Sequence, residues 1–162
     1  MNFDGITYRM ADTGDVELLS RTRLEFFTGY NNDIPEDKKE LIYTDCLAYF
    51  DKSIKDGSFA AYLAFDGDKL AATSGVTFYN TPPRASGPGL TAYISNMYTK
   101  PEYRCRGIAT RLFDLTASEA RRRGCGKAVL YATDMGKPIY EKYGFYVPEN
   151  YMEFRFEEVK TT

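Results

Sequence analysis

With 162 residues, 43% of them apolar and 15% aromatic, the chain has the size and composition of one folded domain (residues 1–162) and excludes a disordered segment. It contains no histidine, which rules out Ser-His-Asp and Cys-His schemes and leaves proton transfer to Asp, Glu, Tyr, Lys, Cys, a terminus or water. The net charge of −2 is unevenly spread: residues 1–66 hold 13 acidic and 7 basic side chains, whereas residues 100–127 hold 8 basic and 3 acidic ones.

Ile6 to Met10 alternates weakly and predicts an edge strand. Asp12, Thr13 or Asp15 can cap a helix whose apolar stripe is Val16, Leu19, Leu24 and Phe27, ending near Gly29. Pro35 suits the first turn of a second helix running towards Ile54, with Leu41, Ile42, Leu47 and Phe50 facing inward. Phe59 to Phe65 and Leu70 to Tyr79 are strand-like runs joined by a D-G-D-K hairpin turn. Three prolines and two glycines make residues 80–89 a loop, and Leu90 to Thr99 is the next strand. A helix with Ile108, Leu112, Leu115 and Ala120 on its apolar face then runs to Gly124. Ala128 to Ala132 is a short buried strand, Asp134 and Pro138 open another helix, and Phe145 to Val147 with Tyr151 to Phe156 form a closing hairpin around P-E-N. The order β-α-α-β-β-β-α-β-α-β-β implies an α/β (α+β) sheet of mixed direction flanked by helices.

The cysteines Cys46, Cys105 and Cys125 are odd in number and lack C-x-x-C spacing, so neither a disulfide framework nor a metal site is indicated. No run approaches the ~20 apolar residues of a membrane span, and the N-terminus lacks a basic start followed by an apolar stretch, so a cytoplasmic location away from membranes is expected. Clustered Arg and Lys can signal nucleic acid, but here they coincide with a glycine-containing turn and do not interleave with aromatics along a strand. A small polyanion is the better partner, and nucleic acid is not expected.

That turn is R-C-R-G-I-A, residues 104–109, placed between a strand and a helix. Gly107 and Ala109 present little side chain, and a helix start leaves its first four amides without intrahelical partners. The amides and the positive end of the helix dipole favour an anion, and Arg104 and Arg106 add charges able to fork onto phosphate oxygens. About thirty residues on comes Y-E-K-Y-G-F, residues 140–145.

The succession of strand, R-C-R-G-I-A, helix, strand and Y-E-K-Y-G-F resembles the GCN5-related N-acetyltransferase (GNAT) superfamily, most closely over residues 93–147. The resemblance implies a GNAT-like, centrally splayed mixed sheet and an acetyl-CoA site in the gap between the Leu90 to Thr99 strand and the following one. The pantetheine arm would meet the backbone of Met97, Tyr98 and Thr99. The diphosphate would lie on the amides of Arg104, Cys105, Arg106, Gly107, Ile108, Ala109 and Thr110, with Lys137 and Tyr143 also on the cofactor side. Acetyl-CoA is the cosubstrate expected, and no metal.

Moving acetyl from a thioester to an amine needs a neutral amine, a polarised carbonyl and a proton for the departing thiolate. In the resemblance Tyr140 supplies that proton, since a phenol titrating near pH ~10 matches a thiolate leaving group. A backbone N–H of Met97 or Tyr98 would polarise the carbonyl. Asn96 beside them either orients substrate or water or merely marks a bulge. Cys105 occupies a variable position in the pattern and reads as a spectator. The Leu90 to Thr99 strand carries no carboxylate, so a water chain takes the role of base, with Glu25 as the side-chain alternative.

The acceptor should approach over the two N-terminal helices and the 80–89 loop, where Glu25, Phe26, Tyr30, Tyr79 and Asn96 are the candidate contacts. Their character suggests a small-molecule primary amine on an apolar or aromatic body, with a peptide amine as the alternative. A non-catalytic acyl-CoA-binding module and a nucleotide- or RNA-binding protein are the competing classes. Strand edges and abundant tyrosine suit a homodimer.

Overall fold

Three strand-like runs in the first half of the chain and two in the second come together as a five-stranded sheet. The computed structural model describes residues 5–30, 34–83, 85, 87–154 and 156, which divide into two units, residues 1–131 and 132–162. The first unit contains β1 (Ile6–Met10), α1 (Val16–Tyr30), α2 (Glu36–Lys55), β2 (Phe59–Asp66), β3 (Lys69–Asn80), β4 (Leu90–Thr99), α3 (Ile108–Arg122) and β5 (Lys127–Leu130). Short 3-10 turns at Thr13–Asp15 and Pro101–Tyr103 lead into α1 and the segment before α3. The sheet order is β1-β2-β3-β4-β5, antiparallel through β4 and parallel between β4 and β5, with α3 as the crossover that a parallel pair requires.

Of the three candidate caps, Asp12 takes the position: its carboxylate accepts from the Gly14 amide at 2.7 Å, and Asp15 accepts from the Asp12 amide at 2.9 Å. Both guanidinium Nη atoms of Arg9 donate to Asp15 at 2.6 Å, and that pairing holds the Asp15 carboxyl below the usual carboxylate range. This ties β1 to the start of α1. The D-G-D-K turn forms with Asp66 opposite Lys69 and Gly67 at φ +58°.

Small residues along β2 and β3 let helices approach both faces. On one face, Ile108 and Leu112 of α3 pack with Tyr103 against Ile6, Ala64 and Ala72. On the other, Leu19 of α1 and Phe50 of α2 pack against Phe59, Ala61, Leu63 and Leu70. Leu41, expected to face inward, is exposed. At 20 residues α2 spans about 30 Å, and its buried side chains, Phe50 and Ser53, lie in its C-terminal half. A buried hydroxyl pair, Ser74 with Thr116 at 2.6 Å, joins β3 to α3, and Thr116 also donates to the Leu112 carbonyl.

In the second unit α4 (Lys137–Lys142) is capped at its C-terminus by Gly144 at φ +91°, whose amide donates to the Glu141 carbonyl, while the Phe145 amide donates to that of Tyr140. Asp134 does not open this helix: its N-cap is Gly136, with no side-chain cap bond, because the Thr133 hydroxyl and carbonyl take the Gly136 amide. The expected closing hairpin is also absent among the described residues, which carry no strand beyond β5. Tyr146, Val147, Met152 and Phe154 are exposed there, and a lone hairpin without a buried face is marginal in water. Residue 155 and those from 157 onwards lie outside the described residues. No described helix is long and apolar enough to cross a membrane.

Candidate active site

A change of partner along β4 creates the site. Thr91 to Ile94 pair with Lys127 to Leu130 of β5, and from Ser95 onwards β4 has no β5 partner. At the same point the β3–β4 register shifts, with Gly75 opposite Ser95 and Thr73 opposite Tyr98, so β4 accommodates an extra residue at Asn96–Met97. Asn96 absorbs the bulge at φ +52°, and its carbonyl accepts from the Thr73 hydroxyl at 2.8 Å. Gly75 is needed opposite, since a Cβ there would sit 2.6 Å from the Phe59 ring.

The register also orients the amides beyond the bulge. Lys100 N–H donates to the Ala71 carbonyl, so the hydrogen-bonded pairs of this ladder are Lys100 with Ala71 and Tyr98 with Thr73. The amide of Tyr98 is thereby spent on β3, whereas that of Thr99 points to the side that β5 has left. Of the two amides named for carbonyl polarisation, that of Tyr98 is turned to β3, which leaves that of Met97, in the bulge, as the candidate.

The turn after β4 supplies a second set of donors, which begins after Arg104: the amides of Lys100, Tyr103 and Arg104 are spent on the carbonyls of Ala71, Lys100 and Pro101, so the Arg104 amide is not among those left for a diphosphate. Cys105 and Gly107 have φ +59° and +77°, and α3 begins at Ile108 with no side-chain cap. The first helical bond runs from the Arg111 amide to the Gly107 carbonyl at 3.1 Å. From Cys105 to Thr110 the amides therefore have no hydrogen-bond partner among the described residues. A Cβ on Gly107 would meet nothing within 4 Å, so glycine is required there by its left-handed backbone and its side lies open. Arg104 donates from Nε to the Thr99 carbonyl at 3.1 Å, Arg106 lies over the Tyr103 ring at 5.5 Å, and both side chains are exposed. Tyr103 donates to Asp66, and burial pushes its phenol up. Ile108 is buried under the turn, and Ala109 and Thr110 are half-buried. Six unpartnered amides at a helix start, flanked by two cations, fit a diphosphate.

The acceptor-side candidates are only partly brought together. Phe26 packs edge-on against Tyr98 with ring centroids 6.3 Å apart. Burial pushes the Tyr98 phenol up, and the exposed Glu25 carboxylate pushes it the same way. Asn96 sits at the bulge beside them. Tyr79 does not join this group: it pairs with Thr91, four residues along β3 from Gly75, which is about 13 Å away. The side chain of Tyr30 lies outside the described part of the structure.

In the second unit Tyr140 is 6% exposed. Its ring lies over the Gly136 backbone and 6.0 Å from that of Phe145. Lys137 is exposed, 3.7 Å from Glu141, and half-buried Tyr143 caps α4.

The family model for the acetyltransferase (GNAT) family matches residues 20–145. The chain belongs to the GNAT family. It is similar to a predicted acetyltransferase from Clostridium acetobutylicum crystallised with acetyl-CoA, at 30% identity and a TM-score of 0.84 over 93% of this chain and 96% of that one. A GCN5-related N-acetyltransferase from Ralstonia eutropha JMP134 matches at 28% identity and a TM-score of 0.81 over 94% and 99% of the two chains. Thialysine N-epsilon-acetyltransferase of Mus musculus is 31% identical over 75 residues, 43% of this chain and 44% of the relative, so the match spans less than half of that protein. The matched range takes in residues 93–145 of the stretch from which the resemblance was read.

Two residues of the bulge region were not among the sequence candidates. Arg23 donates from Nη1 to the Asn96 side-chain oxygen, and its guanidinium lies 4.8 Å from the Phe27 ring centroid. The signal was present: Leu19, Arg23 and Phe27 are spaced by four, so Arg23 is a cation on the apolar stripe of α1. Thr73 carried no such signal, because its bond to Asn96 spans 23 positions.

Proposed function

We propose that the chain is an acetyl-CoA-dependent N-acetyltransferase that passes an acetyl group directly to the primary amine of a small molecule. Family membership supports acetyl transfer. The observation that carries the finer reading is the pair of donor stretches that succeed one another along the chain, the open edge of β4 and the unpartnered amides of residues 105–110. Acetyl-CoA, when bound, supplies the acetyl group as an activated thioester. The similar Clostridium protein with acetyl-CoA supports this choice of anion, and the epsilon nitrogen in the name of the murine relative supports a small amine acceptor.

Each role then falls to a group of this chain. Amides 105–110 and the charges of Arg104 and Arg106 hold the diphosphate. The Met97 N–H is the donor for the developing charge on the thioester carbonyl, and Met97 and Thr99 offer the backbone along which the pantetheine arm lies. Tyr140, from the Y-x-x-x-G-F pattern, gives its proton to the departing thiolate. Without histidine, and with Glu25 exposed, a water relay takes the proton from the amine. A panel of polyamines, aminoglycosides, amino acids and short peptides, scored by CoA release and product mass, tests the proposal. At least one small primary amine should be acetylated. Tight acetyl-CoA binding with no acceptor turned over would favour a non-catalytic module.

A further inference from the structure

Arg23 has a chemistry that neither the thioester site nor the core explains. It is half-buried on the face of the sheet covered by α1 and α2, opposite α3. One Nη–H is spent on the neutral side-chain oxygen of Asn96, and the plane is held over Phe27. Among the described residues it has no ion pair, although a guanidinium carries five donors and is always charged. Phe26 and Phe27 pack edge to face beside it, and the half-buried Cys46 thiol feels the guanidinium charge as well as that of Asp45, which makes no ion pair with Arg23. A half-buried cation costs desolvation unless an anion completes it. Asn96, which it grips, is the bulge residue at the point where β4 parts from β5.

We propose that Arg23 binds a carboxylate carried by the acetyl acceptor, so that the substrate class is an amine whose carbon chain bears a carboxylate group. This rests on the acetyltransferase reading above. Asn96 and Phe27 fix the guanidinium plane, leaving its remaining N–H fork to pair with two coplanar oxygens. A single cation matches the single charge of a carboxylate better than the nearly double charge of a phosphate. The carboxylate end is recognised over α1, while the amine end lies at the bulge beside the Met97 amide.

The test compares kcat/KM for amino acids and for their carboxamide counterparts, with amine-bearing phosphate esters as a third arm. The unaltered protein should favour the carboxylate over the carboxamide by about 10- to 100-fold, the range of a lost charge-assisted pair. In Arg23→Gln, which can still donate to Asn96, that ratio should fall to near one through a higher KM, with the carboxamide rate changed less than about 3-fold. Arg23→Lys should retain part of the preference. Equal loss on both substrates in Arg23→Gln, or a preference of the unaltered protein for the carboxamide or the phosphate ester, overturns the proposal while leaving acetyl transfer intact. Failure to acetylate any amine, charged or neutral, removes both readings together. The preference of the unaltered protein is informative whether or not the variants fold.

Discussion

The turn at residues 105–110 and the corner at Arg23 and Asn96 lie at the two ends of one open strand edge, and they are built in opposite ways. The turn is local: six consecutive residues supply backbone donors, and its specificity resides in φ angles at Cys105 and Gly107. The corner is assembled from α1, β3 and β4, through bonds spanning 73 and 23 positions. A backbone site of this kind tolerates side-chain drift and suits a cosubstrate shared by many enzymes. A side-chain corner is free to vary, and that freedom suits it to the acceptor.

The largest effect that sharpens this contrast is expected outside both regions. Tyr140→Phe should lower kcat about 100-fold, roughly 2.7 kcal/mol, with acetyl-CoA affinity spared, as stopped-flow turnover and calorimetry would show. An unchanged kcat where chemistry limits the rate would strip Tyr140 of its role.

Next comes the anchor of α3, the helix that carries the turn. Glu119 is 4% exposed; hydrogen bonds from Arg122 and then Arg123 hold its carboxyl at about 2 against an ordinary 4.5, with burial opposing them. A carboxyl depressed on folding stabilises the protein above pH ~4.5 and loses that contribution as pH falls towards ~2. Glu119→Gln should therefore cost on the order of 2 kcal/mol at pH 7, after allowance for the exposed Arg122, and should flatten the acid limb of a Tm-against-pH curve. An identical acid limb in both proteins would remove Glu119 as the source.

Gly107→Val should weaken acetyl-CoA binding about tenfold or more in calorimetry, because a β-branched residue resists φ +77° and its side chain would lie on the amide row. The smallest effect is Cys105→Gly, which relieves a left-handed non-glycine backbone and should raise stability by about 0.5–1 kcal/mol in urea melts with binding unchanged. Loss of binding in that variant would mean that the thiol, rather than the backbone, matters.

Legibility in the sequence follows the same division. β1 was readable to the residue from its weak alternation and β4 from the loop and turn that flank it, both local signals, and R-C-R-G-I-A was readable because the turn is contiguous. Leu41 misled because helical periodicity reports a face but not how far the sheet beneath it extends. The closing hairpin misled because alternation in residues 151–156 describes a strand only when a partner edge and a buried face exist. Asn96 could be read equally as a bulge or as a polar contact, and the structure shows it to be a bulge whose side chain also contacts Arg23. That second fact depends on α1 crossing β4, which no window of sequence contains.

Calorimetric titration of the protein with acetyl-CoA and with acetyl-pantetheine, the same thioester without its diphosphate and nucleotide, probes the amide row most directly. The account predicts one acetyl-CoA per chain, with the truncated thioester bound at least about 100-fold more weakly, consistent with loss of several charge-assisted hydrogen bonds. Equal affinity for the two would contradict it.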